Sequence, residues 1–140
     1  MQGLDETKRR VREIVRQHGW AVLAVHADPA NNVPGFSYTI GLDRTLRHPE
    51  LIVFGLPPDD ARGILNAVVQ RIRRDGGLPD DGHVRDVTEN GLALAVLPIP
   101  ESKARSKLKV AKWFGGPRVR ARQLVWPDPY GNFPWDEAWD

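Results

Sequence analysis

The sequence predicts a single α+β domain in which helices pack on a curved, antiparallel or mixed sheet. Its 140 residues, 41% of them apolar, are enough for one hydrophobic core. Segments with the apolar spacing of helices are few, whereas short strand-like segments follow one another directly. No regular alternation of strands and helices runs through the chain, which argues against a doubly wound parallel sheet. The predicted order is α-β-β-β-α-β-β-α-β, within one domain over residues 1–140.

The first third of the chain contains one predicted helix and three predicted strands. Residues 1–19 form the helix, because apolar positions recur every three or four residues and Gly19 follows them. Residues 20–25 are continuously apolar, as in a strand that is covered on both faces. Residues 36–40 alternate between apolar and small polar side chains, and residues 51–54 are apolar again. We expect the second of these strands to pair back onto the first.

The middle of the chain contains the best-defined helix and a predicted hairpin. Pro58 suits the first helical position, and Gly76 suits the residue after the helix end. Asn90-Gly91 is the dipeptide preferred in type I′ turns, which join antiparallel strands. It therefore predicts a hairpin between residues 83–89 and 92–97.

The last third is predicted to contain a short helix, a strand and an aromatic tail. Residues 102–114 form the helix, which Gly115-Gly116 ends, and residues 118–126 form the strand. The tail, residues 126–140, is rich in aromatic and turn-forming residues. Because so many apolar rings are unfavourable in water, we expect the tail to wrap on the core.

The composition excludes several classes of protein. The chain has no cysteine, so disulfides, thiolate metal sites and cysteine nucleophiles are excluded. No apolar run approaches the roughly 18 residues of a membrane span, and the charged N-terminal segment lacks the apolar core of a secretory signal. A cytoplasmic location without membrane contact is therefore expected. The 20 Lys and Arg residues are nearly balanced by 18 Asp and Glu residues, which argues against a chain that is basic throughout.

Four segments form a recognisable pattern along the chain. They are His18-Gly19-Trp20, the run GFSYTIGL at 35–42, His48-Pro49-Glu50-Leu51, and the ending at 123–136 that contains Trp126-Pro127-Asp128 and Phe133-Pro134-Trp135-Asp136. Together they resemble a bacterial family, the domain-of-unknown-function family numbered 4262. The resemblance spans about residues 17–136 and implies an order of motifs but no activity. The basic stretch at 103–122 matches no part of the pattern.

A polar loop after the predicted strand at 36–40 is the main candidate site. Its candidate ligand-binding residues are Tyr38, Thr39, Arg44, His48 and Glu50. An acid, a base and a cation on a short connection between apolar strands are typical of a binding site, since loops on rigid strands gather functional groups. The alternative is that Tyr38 is a core aromatic and that the loop is polar only because it is solvated. We predict a small-molecule cleft between residues 38–50 and the tail, where Trp126 and Trp135 form the opposite wall.

The sequence leaves open whether this site catalyses a reaction. His48, Tyr38 and His26 are candidate catalytic residues, because an imidazole or a phenol can act as a general base or acid. Neither a metal-binding spacing nor a nucleophile motif is present, and no glycine-rich phosphate loop indicates a nucleotide cofactor. We therefore expect no metal, and the cofactor stays unassigned.

Two other functions stay open. The basic segment Lys103–Arg122 interleaves cations with aromatic residues, as single-stranded nucleic acid requires, and Arg118, Arg120 and Arg122 are its candidate contacts. The competing interpretation of this segment is a solvated basic surface, which the near-neutral total charge favours. The third function is protein interaction without a cleft, in which Trp139 could mediate self-association.

Overall fold

The computed structural model describes residues 2–88 and 91–137, which contain five α-helices, one 3-10 turn and a six-stranded sheet. The helices are α1 (Gln2–His18), α2 (Leu42–Leu46), α3 (Pro58–Asp75), α4 (Glu101–Lys107) and α5 (Lys109–Gly115). The strands are β1 (Ala21–Val25), β2 (Phe36–Ile40), β3 (Glu50–Phe54), β4 (His83–Val84), β5 (Leu94–Pro98) and β6 (Ala121–Val125), and the 3-10 turn is Pro29–Asn31. This arrangement confirms the predicted α+β class.

The strands lie in the order β1-β2-β3-β6-β5-β4. All neighbours are antiparallel except β3 and β6, so the sheet is mixed. The three strands of the first third are adjacent, with Ala21 opposite Ile40 in β2 and Tyr38 opposite Ile52 in β3. The last strand, β6, lies between β3 and β5. β1 forms one outer edge of the sheet.

Helices cover both faces of the sheet. On one face, α1, α4 and α5 pack against β2 through Val15, Leu108 and Val110, which meet Tyr38 and Ile40. The other face is covered by α3, which packs on β1, β2 and β3 and whose apolar stripe shares a buried cluster with Leu124 of β6. That stripe comprises Ala61, Leu65, Val68, Val69 and Ile72. Burial of these side chains at both faces supplies most of the favourable free energy of folding.

The predicted helix at 102–114 is two helices. Leu108 joins them with φ −94° and ψ 62°, which are not helical values, and its side chain is completely buried. The change of direction lets α4 and α5 each present an apolar side to β2. Apolar spacing alone predicts one helix here, because residues on both sides of Leu108 follow the same helical pattern.

The predicted hairpin is paired over two residues of its first strand. His83 lies opposite Ala95 and Val84 opposite Leu94, so β4 and β5 are antiparallel. The predicted two-residue turn at 90–91 is wrong, because it would place Val84 opposite Leu97, and the Gly91 N–H instead donates to the Thr88 carbonyl oxygen at 3.1 Å. Gly91 has a φ of 73°, in the left-handed region that glycine adopts without strain. Asn90, the other residue of the signal, lies outside the described residues.

The aromatic tail differs from the expectation that its rings are buried together. Phe133 is 7% exposed, whereas Trp126 is 39%, Trp135 54% and Tyr130 79% exposed. The carboxylate of the buried Asp128 accepts hydrogen bonds from the backbone N–H groups of Tyr130 and Asn132 and holds a tight turn that contains the exposed Tyr130. Trp139 lies outside the described residues.

Candidate functional site

The predicted polar loop is organised around the buried carboxylate of Glu50, at the start of β3. Its Oε1 accepts hydrogen bonds from Thr39 Oγ1 at 2.8 Å and from the Leu42 backbone N–H at 3.2 Å. Its Oε2 accepts a hydrogen bond from the Gly41 backbone N–H at 3.1 Å. Burial outweighs these hydrogen bonds and raises the pKa of Glu50 to about 7. Glu50 therefore holds the turn between β2 and α2 from inside.

Thr39 and Gly41 complete this buried network. Thr39 Oγ1 also accepts a hydrogen bond from the Leu51 backbone N–H at 2.9 Å. Its hydroxyl therefore acts as a donor to Glu50 and as an acceptor from Leu51. Gly41 has a φ of 105°, and a Cβ at this position would lie 2.9 Å from Val15 Cγ1. The turn thus allows α1 to pack directly on the start of α2. These groups support the fold and are buried away from solvent.

Tyr38 is a core residue whose hydroxyl has a structural partner. The side chain is 1% exposed, and its oxygen accepts a hydrogen bond from the Val110 backbone N–H at 3.1 Å. Val110 lies in the first turn of α5, where backbone N–H groups have no partner within the helix. Burial raises the pKa of Tyr38 to about 12. The phenol therefore stays neutral and fixes α5 to the sheet.

His48 and Arg44 lie at the same end of the sheet. The His48 ring is mostly buried, and Nδ1 lies 2.7 Å from the Pro49 carbonyl oxygen, so Nδ1 carries the proton that it donates. Burial lowers the pKa of His48, which favours the neutral ring. Arg44 extends along the surface instead, and its guanidinium lies 4.3 Å from the centre of the Phe114 ring.

The structure does not bring the two predicted walls of the cleft together. Trp126 Nε1 donates a hydrogen bond to the Phe54 carbonyl at 3.2 Å, at the end of β3 opposite to Glu50. The two ends of this strand are about 13 Å apart, at roughly 3.3 Å per residue. Trp135 stacks on Phe133 with ring centres 5.1 Å apart. The candidate base His26 is exposed, one residue beyond the end of β1.

The predicted nucleic-acid contacts precede or occupy β6. Arg118, Arg120 and Arg122 are all exposed, and Arg120 Nη2 forms an ion pair with Asp43 Oδ1 at 2.9 Å. Among the described residues, no three His, Asp or Glu side chains are grouped as a metal ion would require. No helix in the described part of the chain is long and apolar enough to cross a membrane.

A groove that the sequence did not reveal follows the outer edge of β1, between α1 and α3. Its volume is about 770 Å³. The polar and aromatic side chains along it are Glu6, Thr7, Arg10 and His18 from α1, Trp20 before β1, and Arg62, Asn66, Gln70 and Arg73 from α3. The α3 residues recur every three or four positions, so they form a polar stripe beside the apolar stripe of this helix. The regular spacing of these four polar residues is the feature of the sequence from which the groove could have been inferred.

Trp20 lines this groove and is held in place by two contacts. Its Nε1 donates a hydrogen bond to Asn66 Oδ1 at 2.9 Å, and the guanidinium carbon of Arg73 lies 5.7 Å from the ring centre. Within residues 2–88 and 91–137, none of Arg10, Arg62 and Arg73 forms an ion pair. The groove therefore combines an oriented indole ring with three unpaired guanidinium groups.

A comparison with family models places the chain. The model described as Domain of unknown function (DUF4262) matches residues 14–140. The chain belongs to this family. Trp20, Arg62 and Arg73 lie within the segment that matches the DUF4262 model, whereas Arg10 precedes it. Neither the curated proteins nor the solved structures include a match to the chain.

Proposed function

We propose that this DUF4262 domain binds a small anionic molecule in the groove between α1, β1 and α3. The observation that carries the proposal is the presence of three guanidinium groups, from Arg10, Arg62 and Arg73, that form no ion pair within the described residues and line one groove of about 770 Å³. This volume lies within the range of roughly 300–1,000 Å³ that small-molecule sites occupy.

The charge of the groove favours an anion. Glu6 is the acidic residue of its lining, so three cations face one carboxylate. Like charges in a concave surface add to a local positive potential that raises the concentration of anions there. Guanidinium groups bind carboxylates and phosphates through two parallel hydrogen bonds, which gives the site directional preference for these groups.

The remaining lining indicates that the ligand has an apolar or planar part as well. The Trp20 ring is fixed by its hydrogen bond to Asn66, so it offers a preorganised surface at little entropic loss. Gln70 adds an amide that can donate and accept hydrogen bonds. A ring or chain that carries a carboxylate or phosphate group fits this combination.

The proposal keeps the ligand class predicted from the sequence and moves the site. The residues of the polar loop, Tyr38, Thr39 and Glu50, are used by buried hydrogen bonds, whereas the groove presents guanidinium groups that form no ion pair among the described residues. We retain the cytoplasm as the expected location, since small carboxylates and phosphates are plentiful there.

A thermal-shift screen tests the proposal. The probes are small carboxylates, phosphate esters and nucleotides, with neutral analogues of the same size. A ligand that binds only the folded chain raises its melting temperature in a saturable manner. We expect anionic probes to do so and neutral analogues to fail.

Three single variants then locate the site. Arg62→Gln and Arg73→Gln each remove one groove cation, and we expect each to weaken the selected ligand at least tenfold by calorimetry. Arg74→Gln removes a cation of the same helix that forms an ion pair with Asp75 and does not line the groove. Equal loss in all three variants would show that the ligand responds only to total charge. A screen without any saturable anionic probe would also refute the proposal.

A further inference from the structure

Basic side chains from two distant parts of the chain meet around the aromatic residues of α5. Lys8 Nζ and Arg12 Cζ, both from α1, each lie 5.2 Å from the centre of the Trp113 ring. Arg44, at the end of α2, covers the ring of Phe114 at 4.3 Å. Cations at these distances are attracted to the faces of the rings. The aromatic residues of α5 therefore gather positive charge from two other helices.

A shallow cavity of about 570 Å³ adjoins the same Trp113 ring. Three further cations line it, namely Arg105, Lys109 and Lys112. With Lys8, Arg12 and Arg44 they make six cations around Trp113 and Phe114, which we name the basic surface. It lies on the sheet face covered by α1, α4 and α5, whereas the Arg74 end of α3 lies on the opposite face.

Among the described residues, five of the six cations of the basic surface form no ion pair. The chain contains no Asp or Glu between Glu101 and Asp128. In the described part of the chain, Arg105 is the one cation of the six with an ion pair, to Glu101 at 3.3 Å. The total charge of only +2 therefore conceals a strong separation of charge over the surface. A net charge near zero does not exclude a local site for a polyanion.

We propose that the basic surface binds single-stranded nucleic acid. Its cations can neutralise successive phosphates, and a cavity beside Trp113 can take a base that has left its stack. Both aromatic rings are only partly exposed and lie among cations, so they do not project as membrane-inserting anchors do. The site differs from the Arg118, Arg120 and Arg122 contacts expected from the sequence, because it draws on α1 and α2. It is also independent of the anion groove on the other side of α1.

The test measures fluorescence anisotropy of a labelled 12-nucleotide single strand at about 150 mM salt. We expect micromolar or tighter binding, and at least a tenfold loss in the double variant Lys109→Gln/Lys112→Gln. Both side chains are exposed, so the fold should persist, as circular dichroism can verify. If each lysine contacts one phosphate, the slope of log affinity against log salt should decrease by about 1.4 in magnitude, at roughly 0.7 per phosphate of a single strand.

The matched control is Arg71→Gln/Arg74→Gln, which removes two cations from α3. We expect it to bind the strand within twofold of the parent. An abasic strand of equal length should bind at least about fivefold more weakly than the normal strand, because base stacking on an aromatic ring is then lost.

Three outcomes would overturn the proposal. The first is no measurable binding of the single strand at 150 mM salt. The second is an equal loss in the control variant or equal binding of the abasic strand, because either would show attraction to phosphate charge alone. The third is binding to a duplex of equal length, or to vesicles with one third anionic lipid, as tight as binding to the single strand. A negative result here leaves the groove proposal intact, since the two sites share no residue.

Discussion

The hydroxyl of Thr39 and the carboxylate of Glu50 join β2 to β3 through a buried hydrogen bond of 2.8 Å. The same carboxylate receives two backbone N–H groups at the start of α2. A charged group in this position is poorly solvated, and its raised pKa makes the stability of the domain depend on pH near neutrality.

Replacement of Glu50 by Gln should remove this pH dependence. The folded pKa is about 7 and the ordinary value is 4.5, so between these pH values the unfolded chain ionises while the folded chain keeps its proton. The free energy of unfolding of the parent should therefore fall by about 3 kcal/mol as the pH rises from 4.5 to 7, at about 1.4 kcal/mol per pH unit. Urea unfolding at pH 5, 6 and 7.5 measures it.

Comparison with the Gln variant isolates Glu50 from His48. Burial lowers the pKa of His48, so this residue contributes in the opposite direction: stability falls as the pH drops below about 6.5, the ordinary value of histidine. His48 is present in both proteins and cancels in their difference. A parent and a variant with parallel pH profiles between 5 and 7.5 would contradict the assignment.

Removal of the Tyr38 hydroxyl should destabilise the domain. In Tyr38→Phe the Val110 N–H loses its acceptor inside the protein, and an unsatisfied buried donor costs about 1–2 kcal/mol. The control Tyr130→Phe removes a hydroxyl from a ring that is 79% exposed and should change stability by less than about 0.5 kcal/mol. Urea titration of the three proteins gives the difference. Equal stability of both variants would show that the hydrogen bond contributes nothing.

The substitution Gly41→Ala, which adds one methyl group, should strongly destabilise the domain. The φ of 105° strains any other residue, and the new Cβ would lie 2.9 Å from Val15 Cγ1 and 3.1 Å from the Gly19 carbonyl oxygen. We expect a loss of about 2 kcal/mol or more. Gly63→Ala adds the same methyl inside α3, where nothing lies within 4 Å, and should stabilise the domain by roughly 0.5–1 kcal/mol. Thermal melts of both variants should shift in opposite directions.

The tail should contribute to stability mainly through Phe133. Truncation of this buried ring in Phe133→Ala should cost about 3 kcal/mol, as for other buried aromatic residues. Trp135 stacks on it but is 54% exposed, so Trp135→Ala should cost about 1 kcal/mol or less. Chemical unfolding distinguishes the two. A larger loss of stability in Trp135→Ala than in Phe133→Ala would contradict this prediction, because it would show that the exposed ring of the stacked pair contributes more than the buried one.

The sequence predicted those elements that depend on neighbouring residues. The helix from Pro58 to Asp75 is bounded by a proline and a glycine that act within one turn, so its limits could be located before any fold was known. The alternation at residues 36–40 likewise predicted β2. The break at Leu108 could not be predicted, because it depends on how two apolar helix faces meet β2.

The sequence does not show which polar side chains form buried hydrogen bonds, because their partners are brought together only by the folded chain. Tyr38 and Glu50 belong to a polar loop in the sequence, but their partners are the N–H groups of Val110 and of the turn at Gly41. The first of these partners is 72 residues away. Sequence patterns report local spacing, and they do not show which distant groups will desolvate a carboxylate or a phenol.

The α+β class, the main helices and strands, and the family pattern could be inferred from the sequence, because apolar periodicity, caps and turn residues act over a few positions. The position of the positively charged surfaces depends on the three-dimensional arrangement of the helices. Arg10 lines the same groove as Arg62, because α1 lies beside β1 at the edge of the sheet. Lys8 lies over the ring of Trp113, because α1 and α5 pack on the same face of the sheet. Coulomb attraction depends on distance in space, and the order of strands sets that distance.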